Sequence, residues 1–236
     1  MIPLRDGNPS GTRPVITIVL IIINVIVWFY EVSLGRSLNV FVMEYGLVPL
    51  RFVVSHRLEG GVFANAVVPL FSSIFMHGGW LHLIGNMWFL WIFGDNVEDR
   101  LGHVTFLIFY LLCGIGASVA QVMFHPASRI PVVGASGAIS GVLGAYLVSF
   151  PHARVTTLLI IFFFIRFIEL PAYVFLIVWF LFQFVSGASQ WGSTGDMGGV
   201  AYWAHMGGFF VGLILVWILP KSRHFRDRSR GGHYYR

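Results

Sequence analysis

The chain has 236 residues, 57% of them hydrophobic and 17% aromatic, with only 11% charged and a formal net charge of +5. A soluble domain carries about 25% charged residues, so the polar surface a water-soluble fold needs is missing, and the chain reads as a multi-pass integral membrane protein (of the cell membrane, if the source is prokaryotic). A single cysteine, Cys113, excludes an internal disulfide and a Cys-rich metal site.

A helix crossing the hydrocarbon core needs roughly 17–25 mostly apolar residues. Residues 1–13 form a short polar N-terminus. The first predicted span is Pro14–Leu34, where a proline at the start loses no helical hydrogen bond. The segment Glu31–Arg36 has no small-residue cleavage site, so this span is expected to be retained. Further spans are predicted at Trp80–Asp99, Val104–Met123, Ser136–Phe150, Pro171–Ala188 and Trp203–Leu219. Val155–Ile165 is apolar but only 11 residues long between Arg154 and Arg166. It is too short to span and is expected as an interfacial loop or a re-entrant piece. The fold class is therefore all-α: a polytopic bundle of six transmembrane helices over residues 14–220, followed by a basic tail over residues 221–236.

Arg5, Arg13, Arg100, Arg154, Arg166 and the six Lys/Arg of the tail fall on one side of this map, eleven of fifteen. Arg36, Arg51, Arg57 and Arg129 fall on the other. The bias places both termini in the cytoplasm. Lys221, Arg223, Arg226, Arg228, Arg230 and Arg236 fit attraction to anionic membrane lipid. No nucleic-acid partner is expected.

Ser136 to Ser149 is 14 residues, or about 21 Å of helix, against a hydrocarbon core about 30 Å thick. Ser136 should thus lie roughly 9 Å below the outer surface. Counting from His205 to Leu219, and from His82 to Asn96, returns nearly the same depth. Three helices running from outside to inside deliver a serine and two histidines to one layer. Polar groups at that depth are costly unless paired or wet, which argues for a water-filled cavity open to the outside. A serine and a histidine are the minimum pair for nucleophilic acyl transfer. His82 and Asn86 share a helical face and supply donors suited to an oxyanion hole, with the Ser136 N–H as a third. His77 is expected to line the same cavity without a chemical role.

Taken alone, Ser136 reads as a packing serine and Asn86 as an interhelical hydrogen-bonding residue. The shared depth, the complementary roles and the glycine-lined helices change that balance. Gly137, Gly141 and Ala145 on the fourth span, and Ala204, Gly208 and Gly212 on the sixth, are small residues at four-residue spacing that permit close helix contact. Zinc chemistry lacks an H-E-x-x-H motif and a Cys cluster, so no metal is expected. Asp95, Glu98 and Asp99 read as a charge cluster at a helix end. A transporter would show inverted repeats, and none is evident.

Gly134-Ala135-Ser136-Gly137, with His77-Gly78-Gly79-Trp80-Leu81-His82 and Asn86 upstream and Ala204-His205-Met206-Gly207-Gly208 downstream, resembles the rhomboid family of intramembrane serine proteases. The resemblance covers residues 14–220. It implies a six-helix core, Ser136 as nucleophile, His205 as general base, and His82 and Asn86 as oxyanion-stabilising side chains. It further implies no cofactor, and single-span membrane proteins as substrates, cut near the outer end of their transmembrane segment. The alternative it leaves is a catalytically silent relative that binds transmembrane clients. Ser140 stands where some members carry a tyrosine that stacks on the catalytic histidine. The Trp-Arg pair of some members' first outer loop is absent. The glycine-rich loop 190–199 is expected as a cap, and the fifth span, with Trp179 and Phe180, as a lateral gate. No oligomeric state follows from the sequence.

Overall fold

The computed structural model describes residues 1–57, 63–161, 164–189 and 200–230. In chain order the elements are β1 (Ile2–Asp6), α1 (Val15–Ser33), the short helices α2 (Leu38–Tyr45), α3 (Pro49–Arg57) and α4 (Phe63–Ser72), then α5 (Trp80–Leu101), α6 (His103–Phe124), α7 (Ser136–Ser149), β2 (Arg154–Ile161), β3 (Phe164–Pro171), α8 (Ala172–Ser189), α9 (Tyr202–Ile218) and α10 (Arg223–Arg230). Helices stand at all six predicted positions. Of these, α1, α6 and α8 are long and apolar enough to cross a membrane, and α5 joins them if it forms one span with the helical segment before it, from which it bends by 86°. The chain is thus a multi-pass membrane protein built on an all-α bundle, with α7 and α9 as shorter apolar helices.

The six helices pack around a core of Phe93, Phe106, Phe109, Tyr110 and Tyr146, while large apolar side chains such as Ile26, Val104 and Trp217 face outward. That inversion suits lipid as the surrounding solvent. α7 and α9 approach each other closely. A β-carbon on Gly208 would overlap the Gly137 carbonyl, and one on Gly212 would overlap that of Gly141. Gly141 in turn lies against Cys113 of α6, and Gly207 against Ala120. Small residues therefore let backbone meet backbone where no hydrophobic driving force between helices would hold them together.

The carboxylates at the end of α5 act as caps for another helix. Pro14 provides no capping side chain for α1, whose first N–H groups lack intrahelical partners. Glu98 accepts the N–H groups of Ile16 and Thr17 at 2.9 and 2.8 Å and the Thr17 hydroxyl at 2.7 Å. Asp99 accepts from the Gly11 N–H and the Thr12 hydroxyl. The start of the tail docks on the same end, with Ser222 N–H on the Arg100 carbonyl at 2.7 Å and Phe225 buried between the Arg100 and Lys221 cations.

The segment expected as an interfacial loop or re-entrant piece is built of β-strands. β2 (Arg154–Ile161) and β3 (Phe164–Pro171) pair antiparallel, and Ile2–Asp6 adds a third antiparallel strand in the order β1-β2-β3. The all-α expectation holds for the bundle and misses this sheet. The β-branched run Val155-Thr156-Thr157 favours extended backbone, and strand pairing satisfies its polar groups without a helix. Asp6 ends β1 and accepts from the Tyr146 hydroxyl at 2.6 Å and from Asn96 at 2.9 Å, tying the N-terminus to α7 and α5.

Burial raises the Asp6 carboxyl from 3.8 to about 7, with the Tyr146 hydrogen bond opposing the rise and Asp95 adding to it. From about pH 4 to pH 7 the folded chain therefore holds a proton that the unfolded chain has released. Stability falls as pH rises through that window and levels off above it. Asp6→Asn is expected to match wild type near the acid end and to unfold at a higher temperature near pH 8. Thermal unfolding in detergent across this range tests it, and parallel curves for the two proteins would contradict it.

Candidate active site

Ser136 is the first residue of α7, and the chain reaches it through backbone pinned on both sides. Leu47 and Val132 exchange N–H···O bonds at 3.1 and 2.8 Å, and the Gly134 N–H donates to the Ser73 carbonyl at 2.8 Å. Gly134 has φ +128°, a conformation that side chains rarely adopt. His205 lies in the first turn of α9, and the glycine contacts between α7 and α9 set its distance from the serine. Its Nε2 stands 2.8 Å from Ser136 Oγ, and its Nδ1 stands 2.8 Å from Gln183 Oε1 of α8. The imidazole is flanked by Trp179, 6.2 Å away between ring centres, and by the edge of Tyr202 at 6.4 Å.

His82 and Asn86 converge on the same point from α5. A β-carbon on Gly134 would stand 2.6 Å from His82 Nε2 and 3.6 Å from Asn86 Nδ2. Both nitrogens therefore hang over the backbone two residues before Ser136. The Gly78 N–H donates to His82 Nδ1 at 3.3 Å. A neutral imidazole that accepts at Nδ1 carries its proton on Nε2, so the His82 donor points toward Gly134. Asn86 Nδ2 is buried with no hydrogen-bond partner among the described residues, leaving a second donor free in the site.

These side chains share a cavity of about 1230 Å³ lined by Ser73, His82, Asn86, Ser136, Gln183 and His205, among others. Among the described residues no Asp, Glu, Lys or Arg lines it. No group of three His, Cys, Asp or Glu among them is placed to hold a metal.

The structure thus brings all four sequence-predicted site residues together. His77, expected in the cavity, sits behind it: the residue is 2% exposed, its ring lies edge-on to His82 at 5.2 Å, and its backbone N–H donates to the buried Glu31 carboxylate at 3.1 Å. The chain turns at Gly78-Gly79 only after His77, which leaves that side chain on the α1 side. Gln183 was not anticipated. The only available signal was a lone amide in an otherwise apolar helix, four residues after Trp179. Ser140, which stands where some members carry a tyrosine, donates back to the Ser136 carbonyl at 2.6 Å and does not touch the imidazole. The proposed cap at 190–199 lies outside the described residues.

The Rhomboid domain matches residues 64–222 of this chain. The chain belongs to the rhomboid family. It is 30% identical over 195 residues to Rhomboid protein 1, mitochondrial, of Saccharomyces cerevisiae, covering 78% of this chain and 52% of the yeast protein. It is 31% identical over 161 residues to the chloroplastic Rhomboid-like protein 11 of Arabidopsis thaliana, covering 64% of this chain and 51% of that one. Against Rhomboid protease GluP of Bacillus subtilis the identity is 36% over 160 residues, 67% of this chain and 28% of that protein. The chain spans about half the length, or less, of these rhomboid relatives.

Proposed function

We propose that this chain is an intramembrane serine endopeptidase that cuts transmembrane segments of single-span membrane proteins. Ser136 is the nucleophile and His205 the general base, and the 2.8 Å contact between them inside the cavity carries the reading. Membership of a family that includes a named rhomboid protease supports it. So does the cavity volume of about 1230 Å³, which exceeds the roughly 300–1,000 Å³ typical of small-molecule sites. We further infer that α1, α5, α6, α7, α8 and α9 each cross the bilayer, with both termini in the cytoplasm.

His205 takes the Ser136 proton as the hydroxyl attacks the scissile carbonyl. Negative charge develops on the carbonyl oxygen, within reach of the Ser136 N–H, His82 Nε2 and Asn86 Nδ2. Protonated His205 then gives its proton to the leaving amine, and water hydrolyses the acyl-enzyme. The substrate helix must first unwind locally, because its carbonyls are occupied by helical hydrogen bonds. Slow turnover is expected on that account.

Asn86→Ala removes one of the oxyanion donors and is expected to lower turnover by about 10²–10³ with little change in KM. Full activity in this variant would remove Asn86 from the hole. The function itself is tested in proteoliposomes holding a fluorescent single-span substrate. The expected result is a cut inside the membrane segment by wild type and none by Ser136→Ala. Substrate retained uncut by wild type would favour the client-binding alternative.

A further inference from the structure

We propose that Gln183 is a positioning residue for the general base: its side-chain carbonyl holds His205 in the tautomer that leaves Nε2 free to take the Ser136 proton. The inference rests on the Ser136–His205 reading above and extends it to α8.

A neutral imidazole carries one N–H and one lone pair. To receive the serine proton, Nε2 must hold the lone pair, so Nδ1 must hold the hydrogen. A buried N–H without an acceptor is costly, and that cost would favour the opposite, unproductive tautomer. Gln183 Oε1, 2.8 Å from Nδ1, supplies the acceptor. The amide orientation follows from the same logic. With its nitrogen turned to the ring, Nδ1 would need the lone pair, and Nε2–H would donate to Ser136 and could not act as a base. Once His205 is protonated, the Nδ1–H···O bond becomes charge-assisted and stronger.

The choice of an amide follows from the surroundings. Soluble serine proteases place a carboxylate at this position. Here α8 is an apolar helix with Phe182, Phe184 and Val185 exposed beside Gln183, and a fixed negative charge at that depth is expensive. A neutral acceptor orients the ring without that charge. Trp179, one turn earlier on the same face, lies 6.2 Å from the ring and limits its tilt. Ser140 donates to the Ser136 carbonyl instead, so Gln183 and Trp179 are the α8 side chains that hold the ring.

Three proteins test this: wild type, Gln183→Met, which keeps length and loses the acceptor, and Gln183→Glu, which keeps an acceptor. Gln183→Met is expected to lower kcat roughly 10–100-fold with KM and the thermal midpoint unchanged. Gln183→Glu should stay within a few-fold of wild type. In ¹⁵N-histidine-labelled protein, His205 should be the Nδ1–H tautomer in wild type and shift toward Nε2–H in Gln183→Met, a readout that needs no substrate. Wild-type kcat and tautomer in Gln183→Met would overturn the proposal. So would a loss of activity in Gln183→Met accompanied by a lowered thermal midpoint and an unchanged tautomer, which would make Gln183 a packing residue. Cleavage retained by Ser136→Ala would instead bring down the underlying active-site reading, and the tautomer measurement separates the two failures.

Discussion

Ser136→Ala and His205→Ala are each expected to reduce cleavage to a common floor, roughly 10⁴–10⁶ below wild type, with the double variant no slower than either. The reasoning is that the two side chains act as one device. Without the imidazole, the serine hydroxyl keeps its proton and is a poor nucleophile. Without the hydroxyl, the imidazole has nothing to activate. Each loss therefore removes the same covalent step, and the second removal takes nothing further. The donors at His82 and Asn86 remain in all three variants, so the floor should sit above the uncatalysed rate. Initial rates for the two single variants and the double variant in proteoliposomes check this. Additive losses would mean that the residues act separately, despite standing 2.8 Å apart.

Gly208→Ala should have the largest effect of any substitution outside the site itself. The added methyl would overlap the Gly137 carbonyl oxygen, and both partners are helix backbone, so no flexible side chain can yield. α7 and α9 must separate. Gly137 is next to Ser136, and Gly208 is three residues from His205, so the separation is transmitted directly to the dyad. A displacement of about 1 Å at reacting groups can cost about 10² in rate, and overpacking of this kind costs about 1–3 kcal/mol of stability. The expected result is a roughly 100-fold slower enzyme with a lowered thermal midpoint. Gly212→Ala, which meets the Gly141 carbonyl one turn further from the site, should lose similar stability and less activity. Wild-type rates in both variants would show that the glycine contacts do not set the dyad.

Much of this site could be read from the sequence because its parts have motifs and depth. Apolar runs located the six helices to within a few residues, since lipid demands length and composition that few other structures share. Counting rises along three helices put Ser136, His205 and His82 in one layer before any contact was known. Gln183 escaped because one amide in an apolar helix has no signature until the rotation of α8 about its axis is known. The sheet escaped for a different reason. A short apolar run such as Val155–Ile165 does not reveal strand or helix by periodicity alone. Its partner strand, Ile2–Asp6, lies about 150 residues away in sequence. His77 was misplaced because position in a motif does not tell which side of a glycine turn a ring will occupy.

Mass spectrometry of protein treated with a fluorophosphonate tests whether Ser136 is an activated nucleophile. Folded wild type is expected to carry a single phosphonyl adduct on Ser136, lost in Ser136→Ala and strongly reduced in His205→Ala. An adduct on another serine, or none on folded wild type with the probe shown to reach the cavity, would contradict it.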